Sequence, residues 1–304
     1  MLFKDKLKLI TKELSSEYDK LFYEILKTQS HDSDMLLVFI NGFYSPITNK
    51  SLKGFSPYVI GPNKDGHSYS DHYEFIHKYR TESIHELTLK DYLKECEWTS
   101  ERSKKIDELV AAEKHSIQLE MLIYLKIWES DTFIKQYYQL INLLNGEPYD
   151  WHFQIANSSR DKDTTGTRDV LIRKKIRDKL KIKFPKIYSA FKTAYITQVR
   201  NSIAHSNYSF AGRNIHLNND VENDPYSQLK NIEFNNWIEM FHNTMIIYNE
   251  LLRLNNKIKL LYKATAKANQ NLTEIKINKK VKEVEEYYLL VFDERRDDWR
   301  WKTK

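Results

Sequence analysis

The sequence predicts an all-α fold, a helical bundle of long helices carrying one small β-hairpin. Three observations lead there. Only 7 glycines and 6 prolines punctuate 304 residues, few for a chain of many strands and tight turns. Two long stretches, 104–144 and about 228–268, keep apolar residues at helical spacing. Apolar residues make up 41% of the chain and charged residues 30%, a globular balance with enough apolar surface to bury such helices.

Taken in order, residues 3–29 place Leu7, Ile10, Leu14, Tyr18, Leu21, Phe22 and Ile25 at helical spacing, which predicts a helix. Turn signals fill 30–70: Asn41-Gly42-Phe43, Gly54, Pro57 and Gly61 to Gly66. The run 35–40 is too short for periodicity to decide between strand and helix end. Ser83-x-x-Glu86 reads as a capping box opening a helix over 83–96. From 104 one helical pattern runs to Leu144, ending at Gly146, and over 117–144 it is apolar on nearly every side. Such a helix must be covered all round, by a bundle or by a second subunit. Residues 157–168 read as a polar loop and 168–182 as a basic helix. Pro185 suits the first turn of a helix reaching Ala204. The alternation over 208–217 predicts a hairpin, with Tyr208 its first inward residue. A helix over 228–268 carries Trp237, Phe241, Met245, Tyr248 and Leu252 on one stripe. The end, from Glu286, is a hairpin around 294–298 in preference to a helix.

Composition excludes several classes of function. The one cysteine, Cys96, allows no intramolecular disulfide and no thiolate cluster, and its setting predicts a core residue. No apolar run approaches the length of a membrane span, and the first twenty residues are amphipathic and charged, so a cytoplasmic chain without a membrane partner is expected. No glycine-rich phosphate loop, GxSxG or HExxH occurs, and His72 and His77 flank Glu74 at a spacing that turns the two rings apart. The expectation is no metal and no cofactor. Net charge is +6, but Arg160–Lys186 alone holds eleven basic and four acidic residues, a local +7. That segment is either a polyanion footprint or a solvated helix face. Trp299-Arg300-Trp301-Lys302 offers aromatic and basic groups together, although an edge strand or docking tail is the preferred reading.

The chemistry-bearing residues lie near the end of the 185–204 helix. One helical line runs Ile187, Phe191, Ala194, Gln198, Asn201, His205, turning polar where a core stripe should stay apolar. Arg200 adjoins it. An imidazole near an always-charged guanidinium makes an acid–base and phosphate-holding pair. The plain alternative is a buried histidine and an arginine capping a helix C-terminus.

Arg200-Asn201-Ser202-Ile203-Ala204-His205 resembles the Arg-polar-x-x-x-His signature of HEPN-domain proteins, many of them metal-independent endoribonucleases. The polar residue after the arginine, the alanine before the histidine and the hairpin that follows belong to the likeness. With 12 arginines and 10 histidines, a bare Arg-x4-His arises by chance about 0.4 times. It recurs at Arg80-x4-His85, where Thr81 and Ile84 break the pattern. The likeness is best over about 100–265. It divides the chain into 1–99, of unknown role, a HEPN-like helical domain over 100–268, and an extension over 269–304.

The resemblance implies catalysis by Arg200, Asn201 and His205. His205 would be the acid or base for attack of a ribose 2′-hydroxyl on phosphorus, Arg200 would hold the phosphate, and Asn201 would orient them. The products would be a 2′,3′-cyclic phosphate and a 5′-hydroxyl. It also implies a homodimer with a composite site, for which 117–144 offers surface, RNA (tRNA or another cellular RNA) bound by Arg173, Lys174, Lys175 and Arg177, and a toxin or phage-defence effector acting with an antitoxin or trigger. Some HEPN toxins carry a modifiable tyrosine two residues after the histidine. Here Asn207 stands there, so that control is not implied. The alternative function is a non-catalytic HEPN module that binds RNA or a protein.

Overall fold

The first apolar stripe folds as read: Leu2–Phe3 (β1) leads into Lys4–Thr28 (α1), with Ile10, Leu14, Tyr18, Leu21 and Ile25 buried. The computed structural model describes residues 1–47, 56–62, 64–158, 160–161, 164–225, 227–279 and 284–302. The turn signals at Gly54 and Asn63, and Lys162 and Asp163 of the basic segment, lie outside the described residues. The undecided run 35–40 is helical, Asp34–Phe39 (α2), with Met35 to Val38 buried. Strands Phe43–Tyr44 (β2) and Tyr58–Val59 (β3) pair antiparallel ahead of Lys64–Glu82 (α3).

No helix starts at Ser83. Ile84–His85 (β4) instead pairs in parallel with Leu2–Phe3, and the following helix, Leu89–Glu95 (α4), is capped by Thr88, whose hydroxyl accepts from the Asp91 amide. The capping signal was there one turn later, as Thr88-x-x-Asp91. Cys96 closes that helix and packs with Phe3, Tyr92 and Ile238.

The long pattern 104–144 is two helices, Ser103–Trp128 (α5) and Asp131–Leu144 (α6), broken at Glu129-Ser130. Both are covered by the chain itself. Of the apolar residues from Ile117 to Leu144 only Leu122 is exposed, so this stretch does not supply the surface expected for a dimer. Short strands Ile155–Ala156 (β5) and Gly166–Thr167 (β6) bracket the polar loop. The basic helix comprises Arg168–Val170 (α7), a π-helical stretch Leu171–Arg177 and Asp178–Leu180 (α8).

Beyond Pro185–Ala194 (α9) and Thr197–Ala204 (α10), Tyr208–Ala211 (β7) and Asn214–Leu217 (β8) form the expected hairpin. Asn231–Glu233 (β9) adds a third strand where helix was expected, and Phe234–Ala268 (α11) follows. Leu272–Lys279 (β10), Val284–Asp293 (β11) and Asp298–Trp301 (β12) make an antiparallel meander with its second turn at the expected 294–297. Trp299 is buried there against Phe292.

The all-α expectation is therefore corrected: the protein is mixed, 58% helical with 16% in strands, which form five small sheets among the described residues. The reason is legible in β10, where Thr273, Ile275 and Ile277 are buried and Glu274 between them is exposed. That is period two, which buries one face of a sheet. No described helix is long and apolar enough to cross a membrane.

The chain forms two compact units. The first comprises Met1–Glu17, Ser70–Ser130 and Leu180–Asn249, the second Tyr18–Tyr69, Asp131–Lys179 and Glu250–Lys304. The first has a core of Tyr124, Trp128, Phe191, Trp237 and Phe241, with the Trp237 indole donating to Glu120 at 2.6 Å. In the same unit the buried His242 accepts from the Phe3 amide at 2.9 Å.

The second unit is built on Leu36, Leu37, Phe133, Tyr137, Ile275 and Ile277. It also buries an amine: Lys135 Nζ donates to Asn41 Oδ1 at 2.9 Å and to the Gly42 carbonyl at 2.7 Å. Gly42 is required, because a Cβ there would lie 2.8 Å from the Trp151 ring. Burial lowers the Lys135 pKa from 10.5 to about 7, against a smaller opposing pull from Asp150. Between those values the unfolded chain holds the proton that the folded chain has lost, so stability rises with pH. Denaturant titrations should show about 2 kcal/mol gained from pH 7 to pH 9, and Lys135→Met should flatten that slope.

Candidate functional site

The line from Ile187 to His205 is not on one helix. Tyr195 and Ile196 are both extended (φ −115° and −123°) and separate α9 from α10. An aromatic and a β-branched residue side by side favour such a break, and Tyr195 secures it by packing on Trp128 with ring centroids 5.0 Å apart. Gln198, one of the polar residues on that line, is satisfied internally. Its amide donates to the Leu229 carbonyl at 2.7 Å and accepts from the Leu229 amide at 3.0 Å, binding the 218–230 loop to α10.

His205 is the C-cap of α10 and is exposed. The turn carrying it is a Schellman motif: the Asn207 amide reaches the Ser202 carbonyl at 2.8 Å and the Ser206 amide the Ile203 carbonyl at 3.2 Å. The buried Ser202 hydroxyl donates to the Asn207 carbonyl, which also accepts from the Asn218 amide. Tyr208 then pairs with Leu217 and starts the hairpin. The backbone on both sides of His205 is thereby held, while its imidazole has no hydrogen-bond partner among the described residues.

The motif ends on Ser206 at φ 55°, a left-handed conformation usually given to glycine. A side chain there costs about 1–2 kcal/mol, partly offset by the extra unfolded-state freedom of glycine. Ser206→Gly should therefore raise stability by about 0.5–1 kcal/mol in urea denaturation and leave the presentation of His205 unchanged.

Arg200 lies on the same helix with its side chain 21% exposed. Its Nε donates to Glu129, the C-cap residue of α5, and its Nη1 to Asn201 Oδ1 at 2.7 Å. Burial works against its charge, but the hydrogen bond and charge of Glu129 outweigh that and raise its pKa. Tyr124, Trp128 and Tyr195 form the aromatic ground beside it. Asn201 stands four residues before His205, one helical turn below it, and its carbonyl accepts the His205 amide at 3.0 Å. Asn201 thus holds the guanidinium with its side chain and the His205 backbone with its carbonyl. A guanidinium has five donors, of which Glu129 and Asn201 take two, leaving three for a phosphate.

The four basic residues expected to bind RNA belong to the second unit, whereas Arg200, Asn201 and His205 belong to the first. Arg173 pairs with Asp169 at 3.3 Å and Arg177 with Asp178 at 2.7 Å. Lys175 donates to the Thr165 carbonyl at 2.7 Å. Lys174 alone of the four is exposed. Three of these four side chains are therefore already engaged, while the net +7 of the segment, which already counts Asp169 and Asp178, is unchanged by their pairing. Among the described residues no group of three or more His, Cys, Asp and Glu is placed to hold a metal ion.

Reading 104–144 as one helix hides Glu129 as a partner of Arg200. The signal for the break is Glu129-Ser130-Asp131-Thr132, a cluster of cap-forming residues inside an apolar pattern. No family model matches the chain, and neither a curated protein nor a solved structure matches it.

Proposed function

We propose that this protein is a metal-independent endoribonuclease of the HEPN type, with Arg200, Asn201 and His205 as its site. The observation that carries the reading is the unpartnered, exposed imidazole of His205 on a locked helix end, on the same short helix as an arginine held by Glu129 and Asn201 with donors to spare. His205 takes the proton of a ribose 2′-hydroxyl as O2′ attacks the adjacent phosphorus. Arg200 binds the phosphate oxygens and stabilises the added charge of the pentacoordinate state. The bond to O5′ breaks, leaving a 2′,3′-cyclic phosphate, and O5′ takes a proton from an acid. In a homodimer that acid is the imidazolium of the second copy, across a face other than 117–144. Glu129 must yield part of its hold on Arg200 when the phosphate arrives.

The test is incubation of the purified protein with bulk tRNA and mRNA in excess EDTA. Cleavage leaving cyclic-phosphate and 5′-hydroxyl ends is expected. No cleavage at any protein concentration, or 5′-phosphate ends, would overturn the reading. The biological role as a toxin or defence effector is part of the proposal, and it requires growth arrest on expression that disappears with His205→Ala. The Arg200–Glu129 ion pair favours a second reading, a module that binds RNA without cutting it. That reading predicts RNA affinity with no turnover to lose.

A further inference from the structure

Cations that already face carboxylates contribute little to polyanion binding, so the useful question is which basic side chains the fold leaves uncompensated. In the first unit one groove gathers four. We infer that the groove of about 390 Å³ lined by Lys4, Lys8, Lys12 and Arg80, over Leu7 and Ile246, is a track for the phosphate backbone of single-stranded RNA. For the class of partner this rests on the ribonuclease reading; the cationic groove itself does not.

Lys4, Lys8 and Lys12 follow one another at every fourth residue of α1, on one face and rising about 6 Å at each step. All three are exposed, and none has an ion pair among the described residues, whereas Lys6 on another face of the helix pairs with Glu239 at 2.5 Å. Arg80 is held in place without being neutralised: Nη1 donates to Asn249 Oδ1 at 2.7 Å and Nη2 to His77 Nδ1 at 2.9 Å, both uncharged acceptors. No carboxylate lies among the described lining residues.

This arrangement costs the folded protein. Like charges four apart on a helix repel by about 0.2–0.5 kcal/mol a pair, and lysines at a helix start oppose its dipole. A row of phosphates removes both penalties. The lining favours a single strand: Leu7, Ile84 and Ile246 share it with the cations, so bases and riboses meet apolar surface while the lysines and Arg80 meet the phosphates. The charge count over 160–186 pointed elsewhere because composition does not show which cations the fold gathers along one groove.

The test uses the full chain and fluorescence anisotropy of a labelled 2′-O-methyl oligouridylate, which has no 2′-hydroxyl to attack and is not cut. The triple variant Lys4→Ala, Lys8→Ala, Lys12→Ala should bind at least tenfold more weakly. Its slope of log K against log salt should be shallower by about 2, at roughly 0.7 for each phosphate contact on a single strand. Alanine is the best helix former, so α1 persists, and a Gln triple variant with unchanged circular dichroism should repeat the loss. Unchanged affinity and slope, or no binding by the wild type, would overturn the track. So would a wild type that prefers phosphatidylserine vesicles to the oligonucleotide. Binding without cleavage of natural RNA would sink the catalytic reading and leave the track standing.

Discussion

His205→Ala is expected to slow RNA cleavage by about 10²–10⁴-fold, the usual worth of a positioned acid or base, with no change in melting temperature. The two halves of this result have one cause. The imidazole is exposed and hydrogen-bonded to nothing described, so removing it leaves no cavity and no orphaned partner. The helix end is held by backbone bonds from residues 205, 206 and 207 and by the Ser202 hydroxyl, all of which survive the substitution. A structural histidine would give the opposite pattern, a shifted melt and no effect on rate. Arg200→Ala is a poorer probe, because it leaves Glu129 and Asn201 without the group they bind. Arg200→Lys is more informative: it keeps the charge but loses the planar fork that holds Asn201 and, in the proposed mechanism, the phosphate. Equal cleavage by wild type and His205→Ala, measured side by side in EDTA, would remove His205 from the site.

Arg213→Leu should destabilise the protein by about 3–5 kcal/mol, a fall in melting temperature on the order of 10 °C. Arg213 follows the left-handed Gly212 in the β7–β8 turn, and its Nε and Nη2 meet the two oxygens of Glu113 at 2.8 and 2.7 Å. Glu113, on α5, is 1% exposed, so without Arg213 a carboxylate is left buried and unpaired. The loss measures that stranded charge rather than the net worth of the pair. Hence Arg213→Leu combined with Glu113→Leu should recover most of the stability, since a buried pair replaced by apolar groups of similar size is often neutral. A double variant as unstable as the single one would mean that the stacking of Arg213 on Phe234, 5.8 Å from its ring, matters more than the charge. Because the hairpin follows directly on the turn that holds His205, the single variant tests whether that turn depends on its anchor to α5.

Much of the local order can be read without coordinates. Periodicity located α1, the stripe of α11 and the 208–217 hairpin, because it records which face each segment buries. The Arg200-to-His205 signature is likewise local, and one helix end keeps it together. Period two in Thr273, Ile275 and Ile277 was equally readable, and overlooking it produced the all-α expectation.

Tertiary structure alone decided which polar groups are already satisfied. Glu129 meets Arg200 across 71 residues of sequence, Glu113 meets Arg213 across 100, and Gln198 is answered by a backbone 31 residues away. Nothing in local propensity encodes such partners. Charge counting favoured 160–186 over α1 because a count along the chain cannot show that the fold brings Lys4, Lys8, Lys12 and Arg80 to one groove. A sequence determines which segments must hide a face and which residues carry chemistry. Only the fold brings opposite charges close enough to cancel, and that cancellation determines which of them remain free to act.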